Sequence, residues 1–250
     1  MNNRIVVLAG PSCVGKGPLF RLMRMFHPEL MAGFKQLVLF NDRAPRPGEE
    51  EGVDYYFRPR GEIEALRGKD GYIVADVRGD LQALEVGQIQ RIFDAGQIPF
   101  FEGNPFVPGK LREAGLFERF PTVSVFLSPM SREEIVYLKS LPIGVELSKF
   151  VSDVQRRKLL HRTTRQKQYL SLRDLENIEK RCSSALTEMR EAWKFDYVIP
   201  VHDGEGNENW DAFYYPIGSA RKAMLAFASL LRGESDPVFV DERWTEDLIP

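Results

Sequence analysis

The sequence predicts an α/β protein built around a mostly parallel sheet, and three observations carry that expectation. A short apolar run, Ile5-Val6-Val7-Leu8, empties through a glycine-bounded turn into a helical pattern. Further apolar runs at residues 34–40, 98–101, 122–127 and 195–199 alternate with helical patterns, as strand–helix–strand units require. The chain has 250 residues, 43% hydrophobic and 28% charged, enough for one substantial core plus an appendage.

Composition narrows the function classes. A formal net charge of −2 gives no general pull toward nucleic acid or membrane, so any basic site must be local. The two cysteines, Cys13 and Cys182, are far apart and lack a metal-type spacing. His27, His161 and His202 are equally scattered, so no protein-bound metal is expected. No apolar run approaches the roughly 20 residues that span a bilayer, and a strand beginning at Ile5 leaves no room for a signal peptide. A reduced, cytoplasmic protein is the expectation.

Taken in order, the first strand leads into Gly10-Pro11-Ser12-Cys13-Val14-Gly15-Lys16-Gly17. Gly10 and Gly15 permit a turn whose N–H groups face an anion, the following helix adds its N-terminal partial charge, and Lys16 reaches the outer phosphates. The loop therefore expects a nucleoside triphosphate. Leu19, Leu22, Met23 and Phe26 share one helical face, which stops by Pro28. Residues 34–40 read as the second strand, running into a proline-punctuated loop with Arg43 and Arg46, whose guanidinium forks suit phosphate. Residues 53–57 and 72–76 read as short strands of an inserted lobe, and 84–95 as a helix. The strand at 98–101 ends in Glu102, a carboxylate placed to order waters around Mg²⁺ or simply to face solvent. After the strand at 122–127, Ser131 and Glu134 form a capping box. A helical run at 147–162 leads through a basic cluster: Arg156, Arg157, Lys158, Arg162, Arg165 and Lys167. Residues 195–199 are the last core strand, and Ala223, Leu225, Phe227, Leu230 and Leu231 mark a helix packed on the core. From Glu234 a proline-bounded tail is expected to act as a docking strap or a contact between copies.

Two stretches carry a family resemblance. Arg43-Ala44-Pro45-Arg46-Pro47-Gly48-Glu49, with Gly52-Val53-Asp54-Tyr55-Tyr56-Phe57, resembles the acceptor signature of guanylate kinases, and the glycine loop resembles their phosphate loop. Phe195-Asp196-Tyr197-Val198-Ile199 is similar to their final core strand. The resemblance implies a three-layer P-loop kinase sandwich occupying 1–205, with an acceptor lobe at about 41–96, a lid at about 155–172, and an extension at 206–250. It implies ATP and Mg²⁺, a GMP-like acceptor clamped by Arg43, Arg46 and Tyr55, and catalytic charge from Lys16, Arg162, Arg165 and Arg181. Gly17 replaces the usual hydroxyl after the lysine, so the metal would be held through water, and Pro18 stands where relatives place a threonine on the α-phosphate.

The resemblance breaks at the base pocket. The family's guanine-reading positions correspond to Leu39, Val74, Leu81 and Leu84, leaving Asp42 and Asp76 as substitute readers. Three readings follow: a guanylate kinase, a kinase for another nucleotide or a sugar phosphate, and a binding module without catalysis. Retention of Lys16 opposes the last, whereas Pro18 and the apolar base positions favour it.

Overall fold

The computed structural model describes residues 4–46 and 48–250, so Pro47 of the arginine loop lies outside the described residues. The chain begins with β1 (Ile5–Ala9), α1 (Lys16–Phe26), α2 (Pro28–Met31), β2 (Phe34–Gln36), β3 (Leu39–Asn41) and β4 (Tyr55–Phe57). It continues through α3 (Arg60–Glu64), β5 (Tyr72–Val77), β6 (Asp80–Glu85), α4 (Gly87–Asp94), β7 (Ile98–Gly103), α5 (Phe106–Glu113), α6 (Leu116–Arg119) and β8 (Thr122–Ser128). The remainder holds α7 (Arg132–Ser140), α8 (Leu147–Gln166), α9 (Leu172–Met189), β9 (Tyr197–Pro200) and α10 (Gly218–Arg232). Two compact units emerge. One comprises the chain up to Leu8 with Gly33–Val123, the other Ala9–Ala32 with Ser124–Pro250.

In the first unit β2 pairs in parallel with β7, Phe34 opposite Ile98 and Gln36 opposite Phe100. A separate four-stranded sheet, ordered β4-β3-β6-β5, forms the inserted lobe. Residues 34–40, expected as one strand, are thus divided between two sheets. The physical reason is Gln88, whose side-chain oxygen accepts from the Val38 N–H at 2.7 Å while its amide donates to the Val38 carbonyl at 3.0 Å. Both backbone groups of Val38 are satisfied without a neighbouring strand, so the chain can leave one sheet for the other. The hairpin of β5 and β6 turns at Arg78 and Gly79, both at positive φ (56° and 87°), the two-residue turn that matches strand twist. Leu84, expected in a helix, is instead buried in β6, and α4 starts only at Gly87. Ile63, Val74, Leu81 and Ala83 make the lobe's core.

In the second unit β8 and β9 pair in parallel, Val125 opposite Tyr197 and Ser128 opposite Pro200. Asp196 locks them, its Oδ2 accepting from the Ser124 N–H at 2.8 Å and hydroxyl at 2.7 Å. The expected capping box opens α7, with Ser131 and Glu134 bonded reciprocally. Helices α8 and α9 form an antiparallel hairpin, crossed by Arg156 bonded to Glu179 at 2.6 Å. The tail docks on its own chain: the Asp241 N–H reaches the Val198 carbonyl at 2.8 Å, Lys139 holds the Leu248 carbonyl at 3.0 Å, and Trp244, Leu248 and Ile249 are buried. No helix among the described residues is long and apolar enough to cross a membrane.

Candidate functional site

The glycine loop joins β1 to α1 through three left-handed residues, Gly10 (φ 153°), Cys13 (φ 63°) and Gly15 (φ 112°). Close packing forbids a side chain at either glycine. A Cβ at Gly10 would lie 2.4 Å from the Leu127 carbonyl oxygen, and one at Gly15 would lie 2.5 Å from the Trp210 ring. A loop of this kind, ending at a helix N-terminus, is a concavity suited to phosphate. Lys16 arches back over it, Nζ donating to the Gly10 carbonyl at 2.8 Å and the Pro11 carbonyl at 2.9 Å. Gly17 faces open space, and Pro18 sits in the first turn of α1, where a missing N–H costs no helical bond. Burial pushes the Cys13 thiol up to about 11, so it is not a thiolate nucleophile at neutral pH.

Behind the loop, Cys13, Leu159, Ile178 and Cys182 form one apolar cluster that seats the α8–α9 hairpin. The two expected lid arginines on α8 are both held by the segment after β9. Arg162 Nη1 bonds Glu205 Oε2 at 2.7 Å, and Arg165 Nη1 bonds the Gly206 carbonyl at 2.5 Å. Arg181 is half-buried on α9. Burial pushes the Lys158 ammonium down to about 8, its Nζ donating to the Val201 carbonyl at 3.5 Å. Sequence reasoning passed over Glu205 and Trp210. Their signal was slight, a glycine-flanked glutamate and a tryptophan in a polar stretch, and nothing local ties either to a loop some 190 positions earlier.

In the first unit the arginine loop is organised by Glu49. Its carboxylate accepts both Arg43 Nη groups, at 2.7 and 2.5 Å, and the Arg46 N–H at 2.8 Å. Burial pushes the Glu49 carboxyl up, but the Arg43 and Arg46 bonds outweigh it and hold it below the usual carboxylate range. Tyr55 lies beside Arg43, whose guanidinium carbon is 5.1 Å from the ring centroid. Arg43, Arg46 and Tyr55 therefore share one neighbourhood, with an oxyanion already in the fork of Arg43.

Asp42 and Asp76 each have partners of their own. Asp42 accepts from the Leu81 N–H at 2.8 Å and from Arg60 at 2.7 Å, which spends it on joining β3 to β6. Asp76 points outward from β5 and pairs with Arg67 at 3.3 Å. Leu39, Val74, Leu81 and Leu84 are all buried. Glu102 is half-buried near the end of β7. Among the described residues no group of three or more His, Cys, Asp or Glu side chains could hold a metal ion.

Comparison with known proteins follows the same lines. The family model described as guanylate kinase matches residues 2–142. The guanylate kinase of Synechococcus sp. (strain JA-3-3Ab) is 36% identical over 133 residues, covering 53% of this chain and 58% of that protein. A guanylate kinase of Thermus thermophilus is 29% identical over 204 residues, covering 80% of this chain and 74% of that one. A crystal structure of guanylate kinase from Anaplasma phagocytophilum shares the fold, with a TM-score of 0.52 at 20% identity over 93% of this chain and 86% of that one. The chain thus spans less than two thirds of the first of these relatives.

Proposed function

The chain belongs to the guanylate kinase family, and we propose that it transfers the γ-phosphoryl group of MgATP to the phosphate of GMP. The observation that carries this reading is the Arg43–Glu49 fork beside Tyr55: a bidentate oxyanion site in the acceptor lobe of a chain that also holds a lysine-bearing phosphate loop. An incoming phosphate would take the place of the Glu49 carboxylate on Arg43, because a dianion with three oxygens meets a guanidinium fork better than a single carboxylate does. Tyr55 supplies a neutral donor without further charge.

At the donor end, Gly10 to Gly17 would cradle the triphosphate, Lys16 swinging from its loop carbonyls to the outer phosphates. Gly17 offers no hydroxyl, so the magnesium carried by ATP would keep its water there. Arg162, Arg165 and Arg181 would share the charge of the group in flight. The transfer is in-line with no covalent enzyme intermediate, so catalysis consists of positioning and charge neutralisation. The guanine end is weaker: the positions at Leu39, Val74, Leu81 and Leu84 are apolar and Asp42 is already bonded, so hydrogen-bonded readout of the base is reduced.

The test is ADP release from MgATP over a panel of GMP, AMP, CMP and UMP. GMP is expected to be the best acceptor, exceeding the others in kcat/KM by less than the ~10⁴–10⁵ that a fully hydrogen-bonding pocket provides. No transfer to GMP or to any other monophosphate would overturn the kinase reading.

A further inference from the structure

The segment from Asp203 to Trp210 touches both the phosphate loop and the lid helix, and it lies beyond the residues 2–142 that the family model matches. It is firmly built. Asp203 accepts from the Asn209 side-chain amide at 3.0 Å and from the Ala220 N–H at 2.9 Å, which fixes the segment to the start of α10. Trp210 donates Nε1 to the Gly204 carbonyl at 3.1 Å and lays its ring against Gly15. The Glu205 N–H donates to the Cys13 carbonyl at 3.0 Å. From this mount Glu205 holds Arg162, and the next residue's carbonyl holds Arg165.

We propose that Glu205 is a positioning residue that acts through Arg162. It docks the lid arginine beside the phosphate loop and withholds it until a triphosphate competes it away. The inference rests on the donor role proposed for Arg162. The pair is suited to that task because both side chains are largely shielded, at 20% and 22% exposed, so the contact is stronger than a surface ion pair yet not sealed. A monoanion arriving at the loop gains little by exchanging for the carboxylate. A triphosphate presents several charges at once and draws Arg162 off. The rigid mount on Trp210 and Asp203 supplies what a flexible acidic loop would lack, a fixed distance between latch and phosphate loop.

The test compares ATP binding by calorimetry, and KM for ATP and for GMP, in wild type, Glu205→Gln, Arg162→Ala and the double variant. Thermal melting establishes that each variant folds. Glu205→Gln is expected to bind ATP about threefold or more tightly, with KM for GMP unchanged, because the amide keeps the shape of the carboxylate without its charge. In the Arg162→Ala background the same substitution should gain nothing. Unchanged or weaker ATP binding by Glu205→Gln overturns the proposal. So does a gain of equal size without Arg162, which would signal mere relief of repulsion between Glu205 and the phosphates. If Glu205→Gln does not fold, Glu205→Asp replaces it, and an ATP affinity that remains at the wild-type value while the shortened side chain loses Arg162 overturns the proposal equally. A wild-type protein that binds no ATP would overturn the donor-site reading itself, whereas wild-type binding with no effect at Glu205 overturns only the latch.

Discussion

Lys16 donates its ammonium to two carbonyls of its own loop, which keeps a buried cation satisfied, and under the proposed donor role it would leave them for a triphosphate. Lys16→Ala should therefore lower kcat/KM by at least ~10²-fold while leaving the melting temperature within a few degrees of wild type. Steady-state rates alongside a melt decide it. Arg43 is a geometric device as well as a charge, since both Nη groups meet one carboxylate. Arg43→Lys keeps the charge and loses the fork, so KM for the acceptor should rise about tenfold or more with ATP affinity unchanged. Glu49 has its pKa held down by these arginines, so the loop's ordering is complete above the ordinary carboxylate value of 4.5 and fails as pH falls through the depressed folded value. That Arg43, Arg46 and Tyr55 would share one neighbourhood was legible from their closeness in sequence. That Glu49 would occupy the fork was not legible, because a glutamate near two arginines has many rotamers and only packing selects one.

At the scale of elements, α8 carries a cost. Lys158 is pushed down by burial from 10.5 to about 8, so below pH 8 the fold shields a charge that the unfolded chain hydrates. Between pH 8 and 10.5 the unfolded chain binds a proton that the folded one lacks, and stability rises with pH across that window. Lys158→Met should accordingly stabilise at pH 7 by roughly 1–3 kcal/mol, the advantage shrinking as pH climbs from 8 toward 10.5. Urea melts at several pH values would show a pH-independent difference if this is wrong. Gln88 is the brace that lets β2 and β3 belong to different sheets. The apolar run at 34–40 contains no sign of that division, because the bonds that permit it come from a side chain about 50 positions away. The α7 capping box, by contrast, is a local motif and was readable as written.

For the molecule as a whole, the tail was readable only as a strap or a contact between copies, and it docks on β9 and α7 of its own chain. Trp244, Leu248 and Ile249 bury enough apolar surface that removing residues 238–250 should cost several kcal/mol, at about 1.5–3 kcal/mol for each large side chain. A truncated protein melting within a degree of wild type would show the docking to be incidental.

The sequence by itself determined the α/β class, the glycine turn between β1 and α1 and the grouping of the arginine loop, since each depends on neighbours within a few positions: glycine φ freedom, helix phase, and side-chain type. Tertiary structure decided what β3 and β6 pair with, that Asp42 serves the sheet, that Trp210 closes on Gly15, and that Glu205 meets Arg162. Those outcomes join residues from about 40 to nearly 200 positions apart. Their partners are chosen by burial and hydrogen-bond satisfaction in the folded chain, so no local pattern could encode them.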